Sequence, residues 1–246
     1  LAGDGTLRAR LIGLAPDAYR VQALSVFTSQ IRLFADASMT NGVLASDVDL
    51  RLTDVADVVP QLSGAATLAG TIARDATGIV TSDLAATGPG SSTASFAGQL
   101  ESQSPALPLR GQLTPTIGDL WAFSALPGQT LSGRISLAVD GRTTTLTDIT
   151  RADAMADYRV TGSNLRYGDR RLPGTLDIAG TLAQQADGQI AVTATGTTPG
   201  NGQIALATDL APSGAATGTL DATIANLAPF SSLAGRALSR VLFLLA

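Results

Sequence analysis

Residues 107–141, "LPLRGQLTPTIGDLWAFSALPGQTLSGRISLAVDG", read as a strand, one short helix and a second strand, and the rest of the chain repeats that plan. Asp119 stands where a helix N-cap is wanted, its carboxylate placed to accept from the free amides of the first turn. Leu120, Phe123 and Leu126 follow at helical spacing, and Gly128 supplies the left-handed residue that ends a helix. After it, Leu131, Gly133, Ile135, Leu137 and Val139 alternate with Ser132, Arg134, Ser136, Ala138 and Asp140. That is strand periodicity, one apolar face and one polar face.

The same module occurs twice more. Near 44–73, Asp54 is the cap, Val55, Val58 and Leu62 form the apolar stripe, Gly64 is the stop, and Leu68-Ala69-Gly70 opens the next strand. Near 215–246, Asn226 precedes Leu227, Phe230 and Leu233, with Gly235 and Leu238 after them. Cap and stop lie 10, 9 and 9 residues apart in the three copies. Pro60 falls inside the first helix and shortens it, and Arg240 stands where the other copies have Gly70 and Gly133. Asp54, Asp119 and Asn226 read as caps rather than ligands, and Trp121 and Phe123 as anchors of the helix on the sheet.

Composition excludes whole classes of chemistry. The chain has 246 residues, 45% hydrophobic but only 4% aromatic, so its apolar surfaces are built from Ala, Val, Leu and Ile. His and Cys are absent, every one of the 16 cationic residues is Arg, and Glu101 is the sole glutamate. No Ser-His or Cys-His nucleophile, imidazole metal site or lysine Schiff base can be assembled. No phosphate loop ending in Gly-Lys exists. The reading is non-enzymatic, with no cofactor and no metal. A net charge of −4 gives no basic footprint for nucleic acid. The densest positive patch, Arg166, Arg170 and Arg171 around Gly168-Asp169, reads as a solvated hairpin turn. The chain starts "LAGDGTLRAR", without Met and already in strand pattern, as an interior piece of a longer protein would.

Outside the modules the alternation continues almost without interruption. Leu44, Ser46, Val48, Leu50 and Leu52 oppose Ala45, Asp47, Asp49 and Arg51, and strand signals recur at 66–73, 78–85, 93–101 and 107–113. Further strands are expected at 143–149, 158–162, 165–167, 172–182, 188–194, 202–209 and 215–224. Ala186-Asp187-Gly188 and Pro199-Gly200-Asn201-Gly202 supply hairpin turns. No composition break divides the chain. The expectation is one continuous all-β architecture with a few short helices. It is an elongated, repeat-like sheet of about 15 to 18 strands, curled into a U-shaped, taco-like groove. Gly70, Gly98, Gly111, Gly133, Gly180 and Gly218 fall on the apolar face, where glycine marks a bend or a close approach.

Leu50, Leu68, Ile72, Phe96, Ile135, Leu137, Ile178, Val192, Leu206 and Leu220 are the side chains expected on the concave apolar face. Each large apolar side chain left in water forfeits about 1.5–3 kcal/mol, so such a face must be covered. Three small helices cannot cover it. Either the sheet closes on itself as a sandwich or solenoid, or the face is a groove for an apolar ligand.

The segments "VDLRLTDVADVVPQLSGAATLAGTI", "LRGQLTPTIGDLWAFSALPGQTLSGRISLAVDG" and "LDATIANLAPFSSLAGRALSR" resemble the strand–helix–strand repeats of the TamB/AsmA-like family of the Gram-negative envelope. "LPGTLDIAGTLAQQADGQIAVTATG" is similar to that family's β repeats. The resemblance implies a groove for phospholipid acyl chains between inner and outer membrane, in support of outer-membrane protein assembly. It implies a location in the periplasm, as part of an inner-membrane-anchored protein. It also implies a partner, an outer-membrane barrel protein of the TamA/BamA type, bound through parts of the protein outside this segment. The alternative is a secreted or surface β-solenoid or adhesin segment with no lipid cargo. A carbohydrate-active β-helix enzyme would need clustered carboxylates, and Asp47 with Asp49 is a single solvated pair.

Overall fold

A computed structural model describes residues 6–15, 18–28, 30–125, 130–146, 153–168, 170–172, 174–185, 187–224 and 242–245. Period-2 alternation becomes strand almost throughout. The strands are β1 (Thr6–Ala15), β2 (Ala18–Phe27), β3 (Ile31–Thr40), β4 (Val43–Leu52), β5 (Ala66–Arg74), β6 (Ile79–Gly88), β7 (Ser92–Glu101) and β8 (Leu109–Ile117). They continue as β9 (Leu131–Thr143), β10 (Met155–Tyr167), β11 (Arg170–Arg171), β12 (Leu176–Gln184), β13 (Ile190–Thr198), β14 (Gly202–Leu210), β15 (Ala216–Ile224) and β16 (Leu242–Leu245).

All 16 belong to one antiparallel sheet in which sequence order is spatial order, β11 alone standing off the path as a short partner of β10. Hairpin succession keeps every connection short. Asn41 and Gly42, with φ of 50° and 78°, make the two-residue turn whose twist suits a hairpin between β3 and β4. Asp75 closes the β5–β6 turn by accepting from the amides of Thr77 and Ile79, both at 2.9 Å.

Among the described residues no second layer covers the sheet. Substantial contacts run only between neighbouring strands, and from the turn at Leu120–Phe123 onto β9. Among the described residues Ala18, Ala194 and Pro199 are the only buried apolar side chains, and no large side chain is fully buried. The sandwich and closed-solenoid alternatives both need a filled interior, and the described residues form none.

One face of the sheet is better shielded than the other. Ala86 and Ala94 on the apolar face are half-buried, while Ala85 and Ala97, on the same two strands but the opposite face, are exposed. The larger neighbours on the apolar face, Leu68, Leu84 and Phe96, shield the first pair. The path of 15 strands, at roughly 4.8 Å per step, is about 70 Å long.

Three local expectations change. The capped helices of the first two modules are single 3-10 turns, Val55–Asp57 and Leu120–Phe123. Pro60 donates no amide, so the first cannot propagate, and Val58, expected in the buried stripe, is 58% exposed. In the second, the 3-10 repeat of three residues per turn stacks Leu120 and Phe123 on one side and swings Trp121 away, 65% exposed rather than anchored. The strands expected at 158–162 and 165–167 are one strand, β10, carrying a register shift between Ser163 and Arg166. Asn164, with φ of 53°, absorbs the bulge. The third module's helix, the cap Asn226 included, lies outside the described residues, as do Leu126 and Gly128.

Candidate functional site: an open apolar channel

Register places the channel lining. In an antiparallel ladder directly opposed residues share a face. One unbroken row runs Ala35–Val48–Gly70–Leu84–Phe96–Leu113–Val139–Tyr158–Gly180–Ala194–Leu206–Leu220, from β3 to β15. Phe96, Leu206 and Leu220 sit in this row. Leu50, Leu68, Ile72, Leu137, Ile178 and Val192 are two residues from a member of it on their own strands, and Ile135 is four. The alternation therefore puts the whole predicted set on one face of one sheet, and each of these side chains is half-buried. Leu113, in the middle row, stays 40% exposed, so the channel is open to solvent.

Glycine and aromatic residues shape the floor together. A Cβ on Gly70 would overlap the backbone carbonyl of Asp83, and one on Gly180 the carbonyl of Thr193. Only glycine admits so close an approach of neighbouring strands. The aromatic rings then roof the bare backbone: Phe96 lies across Gly98 and Gly111, and Tyr158 across Gly180. The Tyr158 hydroxyl, the one polar atom such a ring brings into the channel, donates to the Thr193 carbonyl at 2.9 Å.

Charge is sorted to the opposite face. Arg51 grips Asp49 with two hydrogen bonds of 2.9 Å, and Arg159 grips Asp177 at 2.8 and 2.6 Å. The guanidinium hydrogen bonds hold both carboxyls below their ordinary pKa and raise both arginines. These pairs are exposed and each contributes little to stability. Asp36 opposes Asp47 and Asp140 opposes Asp157, like charges that water and nearby Arg and Gln side chains accommodate; Gln112 donates to Asp140 at 2.8 Å.

The caps do what the sequence assigned to them. Asp54 accepts from the amides of Ala56 (3.0 Å) and Gly64 (2.9 Å), which lower its pKa, and Asp119 accepts from Trp121 (2.9 Å). Neither points at a ligand. At the Arg166–Arg171 corner, Arg171 donates to Asn164 at 3.4 Å, a contact within its own hairpin. No group of His, Cys, Asp or Glu among the described residues is placed to hold a metal.

The polarity of the channel changes across its width, which the sequence reading missed. The row through Leu50 is apolar, pairing Leu33, Leu68, Ala86, Ala94 and Pro115. The row through Ile72 brings in Ser46, Ser82 and Thr208. One residue pair further toward that rim stands Arg74, between Leu44 and Val80. Counting by twos from Ile72 places it. Comparison with family models, with characterised proteins and with solved structures gives no match to this chain.

Proposed function

We propose that this segment is a non-enzymatic, periplasmic part of an inner-membrane-anchored envelope protein, and that its channel carries phospholipid acyl chains between the two membranes. The observation that carries the reading is the continuous apolar row from β3 to β15, with no layer over it among the described residues. At about 4.8 Å per strand this strip is roughly 50 Å long.

The chemistry of the floor selects the occupant. Backbone amides and carbonyls of the lining strands are engaged in the ladders on either side. A peptide laid across the floor would leave its own amides and carbonyls without partners, at a cost of several kcal/mol each in an apolar setting. Hydrocarbon has no such groups. The resemblance of the capped modules to TamB/AsmA-like repeats supports the same reading. It also supports a partnership with an outer-membrane barrel protein of the TamA/BamA type through other parts of the protein.

Native mass spectrometry tests it. Protein purified without detergent from a Gram-negative periplasm should carry adducts with phospholipid masses, released as the free lipids on collisional activation. Protein that is lipid-free under those conditions, and stays so after incubation with phospholipid vesicles, overturns the reading. A secreted or surface structural segment with no lipid cargo is then the better account.

A further inference from the structure

We infer that Arg74 is an anion-binding residue at one rim of the channel, holding the phosphate or carboxylate head of an amphiphile whose chain lies along the floor. The inference rests on the channel reading and adds an orientation to it: chains toward the row of Leu50, head toward the β3–β4, β5–β6 and β7–β8 turns.

Four observations carry it. Along the main path from β3 to β15, Arg74 is the one charged side chain among the described residues on the apolar face. It is half-buried between Leu44 and Val80, partly desolvated and still reachable. Its two hydrogen bonds go to neutral acceptors, the Gly42 carbonyl at 2.7 Å and the Ser102 hydroxyl at 3.1 Å. No carboxylate among the described residues pairs with it. A guanidinium has five N–H donors, so those two bonds, from Nε and Nη1, leave the remaining Nη hydrogens for an oxyanion. Finally, the row between Arg74 and the middle of the channel carries Ser46 and Ser82, polar side chains beside the guanidinium on an otherwise apolar face.

The hydrogen bonds also fix where the charge sits. Ser102 is itself tied down, donating to the Gly78 carbonyl at 2.6 Å, so turns from three hairpins hold the guanidinium in place. A pre-positioned cation loses little rotamer freedom when an anion arrives.

Dodecyl phosphate, dodecanol, dodecyltrimethylammonium and inorganic phosphate, below any micellar concentration and titrated into the full chain, separate the contributions of head and tail. The expected order is phosphate ester over alcohol by roughly tenfold, the size of one hydrogen bond to a charged group, and alcohol over ammonium. Inorganic phosphate, lacking a chain, should show no saturable binding. The overall charge of −4 would favour the reverse order, so an anion preference must come from a local cation. Arg74→Gln should bring the ratio of phosphate ester to alcohol near one. Ser102→Ala, which loosens the tether and keeps the charge, should retain a clear preference. Should Arg74→Gln not fold, the order in the wild-type chain and in Ser102→Ala still decides. Equal affinity of the wild-type chain for ester and alcohol overturns the inference and leaves the channel reading standing. So does an unchanged ratio in Arg74→Gln, or saturable binding of inorganic phosphate as tight as that of the ester. Failure of both dodecanol and dodecyl phosphate to bind overturns the channel reading and this inference with it.

Discussion

Tyr158 donates its hydroxyl to the backbone carbonyl of Thr193, reaching past β12 to β13 at 2.9 Å. Gly180, directly opposite Tyr158 in β12, is what the ring crosses, and a Cβ there would lie 2.8 Å from the phenolic oxygen and overlap the Thr193 carbonyl. Thr193 in turn takes the Thr181 amide on its own hydroxyl, at 3.1 Å. Glycine thus lets the strands close up, and an aromatic ring replaces the missing side chain.

Gly180→Ala should therefore destabilise the chain by about 3 kcal/mol, the upper end of the ordinary range for forcing volume into a fitted site. Tyr158→Phe, which keeps the ring and removes one hydrogen bond, should cost about 1 kcal/mol. Urea unfolding of the two variants measures both. A neutral Gly180→Ala would refute the close approach of β12 and β13.

The two caps differ in a way that should be measurable. Asp119→Ala removes one acceptor and should cost about 1 kcal/mol, whereas Asp54→Ala removes an acceptor shared by two amides and should cost about 2. Thermal unfolding gives the order. Equal and negligible effects would mean that neither turn is pinned by its aspartate.

Acid should weaken the protein only at low pH. The carboxyls of Asp54 and Asp75 are lowered, the first by the amides of Ala56 and Gly64, the second chiefly by the Thr77 hydroxyl and then the Ile79 amide. A depressed folded pKa gives stability that is fully present above the unfolded value, about 3.9, and is lost as pH falls through the folded one. The chain has no histidine to titrate near neutrality. Stability should be level from about pH 5 to 8 and decline below about 4. A midpoint that shifts between pH 6 and 7 would contradict this.

Much of the fold was legible because a strand's period is two, and a single greasy face is the simplest pattern that period can write. Leu50 and Leu220 stand ten strand pairings apart, yet parity alone put both on one face. What alternation cannot show is where a turn stays a single turn, as at Leu120–Phe123, or where a bulge joins two apparent strands, as at Asn164. The Asn41-Gly42 hairpin was readable from its residue types and was passed over. Arg74 was missed because its strand was ended at Ala73, one residue short of the position that parity assigns to the channel.

Leu137→Asp separates an open channel from a closed core. Leu137 is half-buried with no layer over it among the described residues, so a carboxylate there still reaches water. The cost should stay near the 1 kcal/mol of an ordinary point substitution, with circular dichroism unchanged. Burial of an unpaired charge in a packed core would cost several times more. A collapse of the fold would mean that this face is covered in solution.

Photocrosslinking in cells measures the central claim most directly. Probes at Leu137 and Val192 lie on the floor of the channel, and matched probes at Ser136 and Thr193 lie one residue away on the polar face. The account predicts phospholipid adducts at Leu137 and Val192 and little at Ser136 and Thr193. Lipid captured equally on both faces, or on neither, would contradict it.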